Sequence, residues 1–149
     1  MITWTLKPFA DLTPTELYSI LQLRNEVFIV EQNCPYQDLD NKDLKSWHLM
    51  GIKDDKLAAY SRLLAPGISY RESSIGRIVS SPAVRKTGIG KKLVEKSIEQ
   101  IKKLFETDTI RIGAQLYLKT FYESFGFIQE GEVYLEDNIP HILMLRKPK

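Results

Sequence analysis

Apolar residues recur at helical intervals in two long stretches of the chain and alternate with polar residues in most of the rest. In TPTELYSILQLRNEVFIVEQ, Leu17, Ile20, Leu21, Arg24 and Phe28 fall at helical spacing. Thr13 can cap this helix, Pro14 suits its first position, and Glu16 completes a capping box. From Gly88 to Phe105, the apolar residues Ile89, Leu93, Val94, Ile98, Ile101, Leu104 and Phe105 trace one face, with lysines and glutamates opposite. WHLMGIK and LAAYSRLL flank the polar turn DDK and predict a hairpin. ITWTLKPF, SIGRIVSS and TIRIGA read as single strands, and FIQEGEVYLE with HILMLRK as a second hairpin across DNIP. LKTFYESFG reads as a short helix closed by Gly126. Between the first helix and the first hairpin, NCPYQDLDNKDLKS is a polar loop with room for a short second helix, long enough to mark it as functional. The order predicts one mixed α/β domain over residues 1–149, with hairpins at both ends and a strand, helix, strand, helix unit between.

Composition narrows the function classes. With 43% hydrophobic and 27% charged residues in 149, the chain has material for one real core. Its 21 basic and 19 acidic residues leave a formal charge of +2, so any anion site must be local. A single cysteine, Cys34, and an N-terminus without a signal-like pattern predict a cytoplasmic location. No apolar run approaches the roughly 20 residues that cross a bilayer, so no membrane partner is expected. A homodimer is the expected form of any oligomer.

The local anion site is sought where the pattern breaks. IVSSPAVRKTGIGKKL runs from a strand through a proline and two glycines into a helix N-terminus, where unpaired N–H groups and the positive helix end converge. The glycines are too close for a P-loop, and Leu93 occupies the third glycine position of a dinucleotide fingerprint. The remaining pattern, R-x-x-G-x-G after a strand, resembles the coenzyme A motif of the GNAT superfamily of N-acetyltransferases. AQLYLKTFYESFGF, one helix and one strand later, resembles the same family's FYxxxGF hallmark. LRNEVFIVEQNCPYQDLDNKD is similar to the signature of the ElaA-like branch.

The resemblance implies an α/β fold with a mixed, mostly antiparallel sheet of about seven strands and four helices, splayed between its fourth and fifth strands, here SIGRIVSS and TIRIGA. It implies acetyl-CoA as co-substrate, with the backbone of Ile78, Val79 and Ser80 pairing with pantetheine. Arg85, Lys86, Thr87, Gly88, Ile89, Gly90 and Lys91 would cradle the pyrophosphate, and Gln115 and Tyr122 would contact the coenzyme. Tyr122 stands where the family's tyrosine protonates the departing thiolate. A phenol keeps its proton at neutral pH and can donate it.

The acceptor, a small-molecule or peptide amine, is mostly protonated at neutral pH and needs a general base. Relatives often place a glutamate on the fourth strand, but this chain has Arg77 there. Glu31, His48 and His141 are the candidates for the base. Glu31, Tyr36, Asp38 and His141 are expected to contact the acceptor. Asp38, Asp40 and Asp43 could instead shape turns or bind a metal, although the reaction requires none, and Cys34 reads as structural. Two rivals stand beside the transferase: an acyl-CoA-binding module without turnover, and a nucleic-acid binder using Arg85, Lys86, Lys91 and Lys92. The near-neutral charge counts against the second.

Overall fold

In a computed structural model, residues 1–148 are described. Its strands are β1 (Thr3–Pro8), β2 (Trp47–Lys53), β3 (Lys56–Leu64), β4 (Ser74–Ser80), β5 (Ile110–Gln115), β6 (Phe127–Glu136) and β7 (Ile139–Arg146). Three α-helices accompany them: α1 (Pro14–Arg24), α2 (Ile89–Phe105) and α3 (Lys119–Glu123). The capping box at Thr13 and Glu16 forms as expected, and α1 runs on as a wider π-helical segment, Asn25–Glu31. In place of a fourth helix, the polar loop holds one short 3-10 turn, Lys42–Lys45.

The sheet is in two parts. β1-β2-β3-β4 pair antiparallel in one and β5-β7-β6 in the other. A single parallel bridge, Ser73 to Ile110, joins them. That end is clamped: Arg111 N donates to the Ser73 carbonyl at 2.9 Å, Ser73 Oγ to the Thr109 carbonyl at 2.6 Å, and the Arg111 guanidinium grips Glu72. Beyond it β4 and β5 diverge. The expected splay is present, between the expected strands.

Helices cover both faces. α1 and its π-helical extension pack Ile20, Leu23 and Val27 on Met50, Tyr60 and Val79, while α2 packs Leu93, Val94 and Ile101 on residues that point the other way, such as Leu49, Leu63 and Ile75. The period of two along each strand produces this division. β4 breaks that period once. Tyr60 faces Val79 but Arg62 faces Gly76, so β4 carries an extra residue, and Arg77 takes φ +50° there.

The polar loop is bound to this strained point by an ion ladder. Arg77 Nε donates to Asp38 Oδ1 at 2.7 Å and Arg77 Nη2 to the Asp38 carbonyl at 2.8 Å. Arg24, fully buried at the end of α1, reaches Asp38 at 2.9 Å and Asp43 at 2.8 Å. Arg62 donates to Asp40 at 2.6 and 2.8 Å and to Asp43 at 3.1 Å. Burial alone would raise the Asp40 and Asp43 carboxyls, but the guanidiniums of Arg62 and Arg24 outweigh it and hold both below the usual range.

Two expectations are corrected here. Asp38 does not face an acceptor, because Arg24 and Arg77 occupy its carboxylate. His48 is no base: it is wholly buried, its Nδ1 accepts from the Tyr60 hydroxyl at 2.6 Å, and its Nε2 donates to the Asp43 carbonyl at 2.9 Å. Burial also pushes its imidazole toward the neutral form.

The ladder makes stability depend on acid pH with a definite sign. Carboxyls held low in the fold stay ionised where the unfolded chain's protonate, so stability is full above the ordinary carboxylate pKa of about 4 and is lost as pH falls below it. Thermal unfolding between pH 3 and pH 7 should show this loss, and Asp43→Asn should lower Tm at pH 7 while flattening the acid slope. An Asp43→Asn protein with unchanged Tm at pH 7 would remove the ladder from the account.

Candidate active site

Divergence of β4 and β5 opens a cleft of about 490 Å³. Ile78 of β4, Gln115 of β5, Tyr122 of α3, His141 of β7 and Tyr36 of the polar loop all line it. Cross-strand partners share a face of a sheet, so the register sorts these groups. Ala114 pairs with Ile142, and both pack in one core cluster with Tyr122, on the α2 and α3 side. Gln115 pairs with His141 and Tyr134 with His141, which puts that group on the opposite face. Tyr122 and His141 therefore meet the cleft from its two sides.

On the α2 side, the helix begins without a side-chain cap. Its first internal bond is Lys92 N to the Gly88 carbonyl at 3.2 Å, so the N–H groups of Ile89, Gly90 and Lys91 lie ahead of the helical ladder. Gly88 adopts φ +82° and Lys86 φ +65°, so the loop passes twice through the left-handed region just ahead of these groups. Thr87 Oγ1 ties the loop back to the Val84 carbonyl at 2.5 Å. Gly90 has no such backbone need: its φ is ordinary, and a Cβ built on it would meet nothing within 4 Å. Internal packing therefore does not require glycine at 90. The position faces open space beside the helix N-terminus.

Arg85 stands beside this cradle, its guanidinium bidentate on Glu31 at 2.8 and 2.5 Å. Glu31 was expected as a base or acceptor contact, and this is corrected. Its carboxylate lies off the cleft, and the hydrogen bonds from Arg85 hold it below the usual range.

Tyr122 is 5% exposed, packed edge-on against Phe121 and Phe127. Among the described residues, Arg62 Nε is the one fully enclosed side-chain nitrogen or oxygen that lacks a partner. Tyr122 lines the cleft, and its hydroxyl is not among the enclosed, unpartnered atoms of the described residues. Burial raises its pKa well above that of a free phenol and keeps it protonated at neutral pH. Gln115 donates from its amide to Gln32 at 3.4 Å and so bridges the mouth of the cleft. Tyr36 donates weakly to Asp38 at 3.4 Å, its pKa pushed up to about 12 by burial and by that carboxylate. Cys34 is buried against the β6–β7 turn, with its Sγ 3.4 Å from the Asp137 carbonyl.

A splayed sheet, an open helix N-terminus with an unneeded glycine, and a tyrosine lining the gap agree with a match of residues 12–147 to the acetyltransferase (GNAT) domain. The chain belongs to the GNAT acetyltransferase family. It is 44% identical to protein ElaA of Escherichia coli over 149 residues, 99% of this chain and 97% of that protein. The crystal structure of Escherichia coli ElaA superposes with a TM-score of 0.92 at 43% identity, covering 99% of this chain and 100% of that one. A crystal structure of an acyl-CoA N-acyltransferase from Pseudomonas aeruginosa gives a TM-score of 0.94 at 47% identity, with 98% and 99% covered.

Within this GNAT fold, sequence reasoning missed Tyr70, Tyr134 and Glu136, which surround His141 or line the cleft beside it. The signal was present in Asp137 and Asn138. Both tolerate positive φ, and they adopt +48° and +66°, making a two-residue hairpin turn that sets Tyr134 opposite His141. Arg77 of β4 belongs to the ladder.

Gly90→Val should fold with nearly unchanged Tm, because a Cβ there meets no protein atom within 4 Å, yet should weaken coenzyme A binding by about tenfold or more, roughly 1.4 kcal/mol or above. Calorimetry showing equal affinity in the two proteins would detach the cradle from the coenzyme.

Proposed function

We propose that the protein transfers an acetyl group from acetyl-CoA to a primary amine of a small molecule or peptide by direct attack, with Tyr122 as general acid. The observation that carries this reading is the place of Tyr122 on the cleft, on the same face as the open N-terminus of α2, where burial favours its protonated form.

The parts fit the coenzyme in order along that face. The free amides of Ile89, Gly90 and Lys91 suit a diphosphate, and Arg85 can leave Glu31 to add its charge. Past Ser73 the outer edge of β4 is unpaired, so the backbone at Ile78, Val79 and Ser80 is open to an extended amide-bearing arm. The coenzyme supplies an activated thioester. What this chain adds is position and protons. Strand divergence admits donor and acceptor from opposite sides, and the apolar surroundings of Tyr122 exclude water from the departing sulfur. Tyr122 gives that sulfur a proton as the C–S bond breaks, sparing the site a free thiolate.

Tyr122→Phe keeps the ring and removes only the donor. Turnover should fall by roughly 10²-fold to 10⁴-fold with coenzyme affinity nearly unchanged, and an acyl donor with a more acidic thiol should recover part of the loss. Full activity of Tyr122→Phe with acetyl-CoA would make this tyrosine a packing residue. Tight coenzyme binding with no transfer to polyamines, aminoglycosides or peptide N-termini would favour the acyl-CoA-binding module instead.

A further inference from the structure

We propose that His141 is the general base of the transfer, its Nε2 prepared for that task by a backbone contact on the other side of the ring. The proposal rests on the transferase reading above and assigns the proton acceptor that reading lacks. His141 Nδ1 lies 2.7 Å from the Ile139 carbonyl oxygen. A carbonyl only accepts, so Nδ1 carries the proton, and the neutral ring presents its lone pair at Nε2. The ring is 8% exposed and lines the cleft, stacked against Tyr134 with centroids 5.9 Å apart. Its orientation is therefore fixed.

The groups around the ring suit a base that gains a proton. Glu136 of β6 places Oε2 3.5 Å from Nε2, where it can accept from the imidazolium, and the Glu136 side chain is 60% exposed to solvent. Tyr134 of β6 and Tyr70 of the β3–β4 connection converge over Gly113 on this face of β5, both with raised pKa from burial and thus neutral. Asp137 lies in the turn beside Glu136, Asp40 and Tyr36 enter from the polar loop, and Arg111, further along β5, is held by Glu72 and Glu130. Of the cations lining the cleft, Arg62 and Arg77 are paired with Asp40 and Asp38, and Lys42 enters from the polar loop. His48, the other histidine, is spent on Tyr60 and Asp43.

Position decides between His141 and a purely structural role. It sits on the sheet face opposite Tyr122, so an amine entering beside it attacks from the side away from the departing sulfur. Protons balance across the cleft. Nε2 takes one from the incoming ammonium and passes it to solvent. The neutral amine then forms the C–N bond as the C–S bond breaks, Tyr122 protonates sulfur, and the surplus proton on the new amide nitrogen replaces the one Tyr122 gave.

The test has two arms. In the first, NMR of labelled imidazoles, with only two histidines to resolve, should show His141 as the Nδ1–H tautomer and His48 as the opposite, Nε2–H tautomer. An Nε2–H tautomer at His141 overturns the proposal whether or not an acceptor is known. In the second, thiol release from acetyl-CoA is followed with spermidine, kanamycin and trialanine as probes. His141→Asn, whose amide can still donate to the Ile139 carbonyl, should lose about 10²-fold to 10⁴-fold in turnover on any amine the parent protein acetylates. His141→Gln should do the same, guarding against misfolding of one variant. The residual rate should climb about tenfold per pH unit, because free amine must now come from solution. Full turnover in a folded His141→Asn protein, or a loss that does not recover with pH, refutes the base. Failure of Tyr122→Phe to lose activity would refute the acid assignment alone, and failure of the parent to acetylate any probe would count against transfer, leaving the tautomer result to decide His141.

Discussion

The structure turns on two strands that do not pair. β4 and β5 run parallel and adjacent, yet touch through one bridge at Ser73 and Ile110. Two unpaired parallel edges inside a sheet cost backbone hydrogen bonds that the fold would otherwise make. The closed end is clamped by Glu72 and Arg111 and by Ser73 on Thr109. The open end is kept apart by what flanks it: the extra residue at Arg77, Gln115 turned to Gln32, and Tyr122 packed behind Ala114 and Ile142. The cleft is thus a consequence of where pairing stops.

Arg77 couples that gap to the polar loop. A non-glycine residue at φ +50° is held at a cost of about 1–2 kcal/mol, and its charge-assisted bonds to Asp38 offset it. Arg24 and Arg62 then bind the rest of the loop, so three guanidiniums meet three carboxylates with no net charge left over. A buried array of this kind adds little to stability over an apolar one, but removing a single member strands its partner in a dry site. The array therefore acts on geometry. It lets a segment with almost no secondary structure serve as a fixed wall of the cleft.

These contacts also explain what could be read from the chain beforehand. α1, α2 and the glycine turn were legible because their determinants are local: Thr13 with Glu16, an apolar stripe, Gly88 and Gly90 ahead of a helix. The splay and Tyr122 were legible through motifs that keep their order. Asp38 and Glu31 were misread because the arginines that hold them lie far along the sequence, and His48 because its enclosure by Tyr60 and Asp43 depends on strand pairing and on the fold of the polar loop. Arg77 is 39 residues from Asp38, Arg85 is 54 from Glu31, and no pattern in the intervening residues encodes that they meet. Glu136 and Tyr134 depended on hairpin register, which two positive-φ residues set.

That difference follows the cleft itself. On the α2 side a few consecutive residues supply the whole of the proposed anion cradle, since backbone amides need only the right turn. Across the sheet, the groups around His141 come from β6, β7, the β3–β4 connection and the polar loop, so no short stretch contains the acceptor side. The pair between Glu31 and Arg85 stands at the boundary. Both side chains are about two-fifths exposed, at 42% and 41%, so solvent screens their attraction and little is lost when it is exchanged for another anion. An incoming diphosphate can take Arg85 without disturbing the core, whereas a ligand competing for Arg24 would have to open the buried ladder. The exposed ion pair stands beside the proposed coenzyme cradle, and the buried ones brace the polar-loop wall of the cleft.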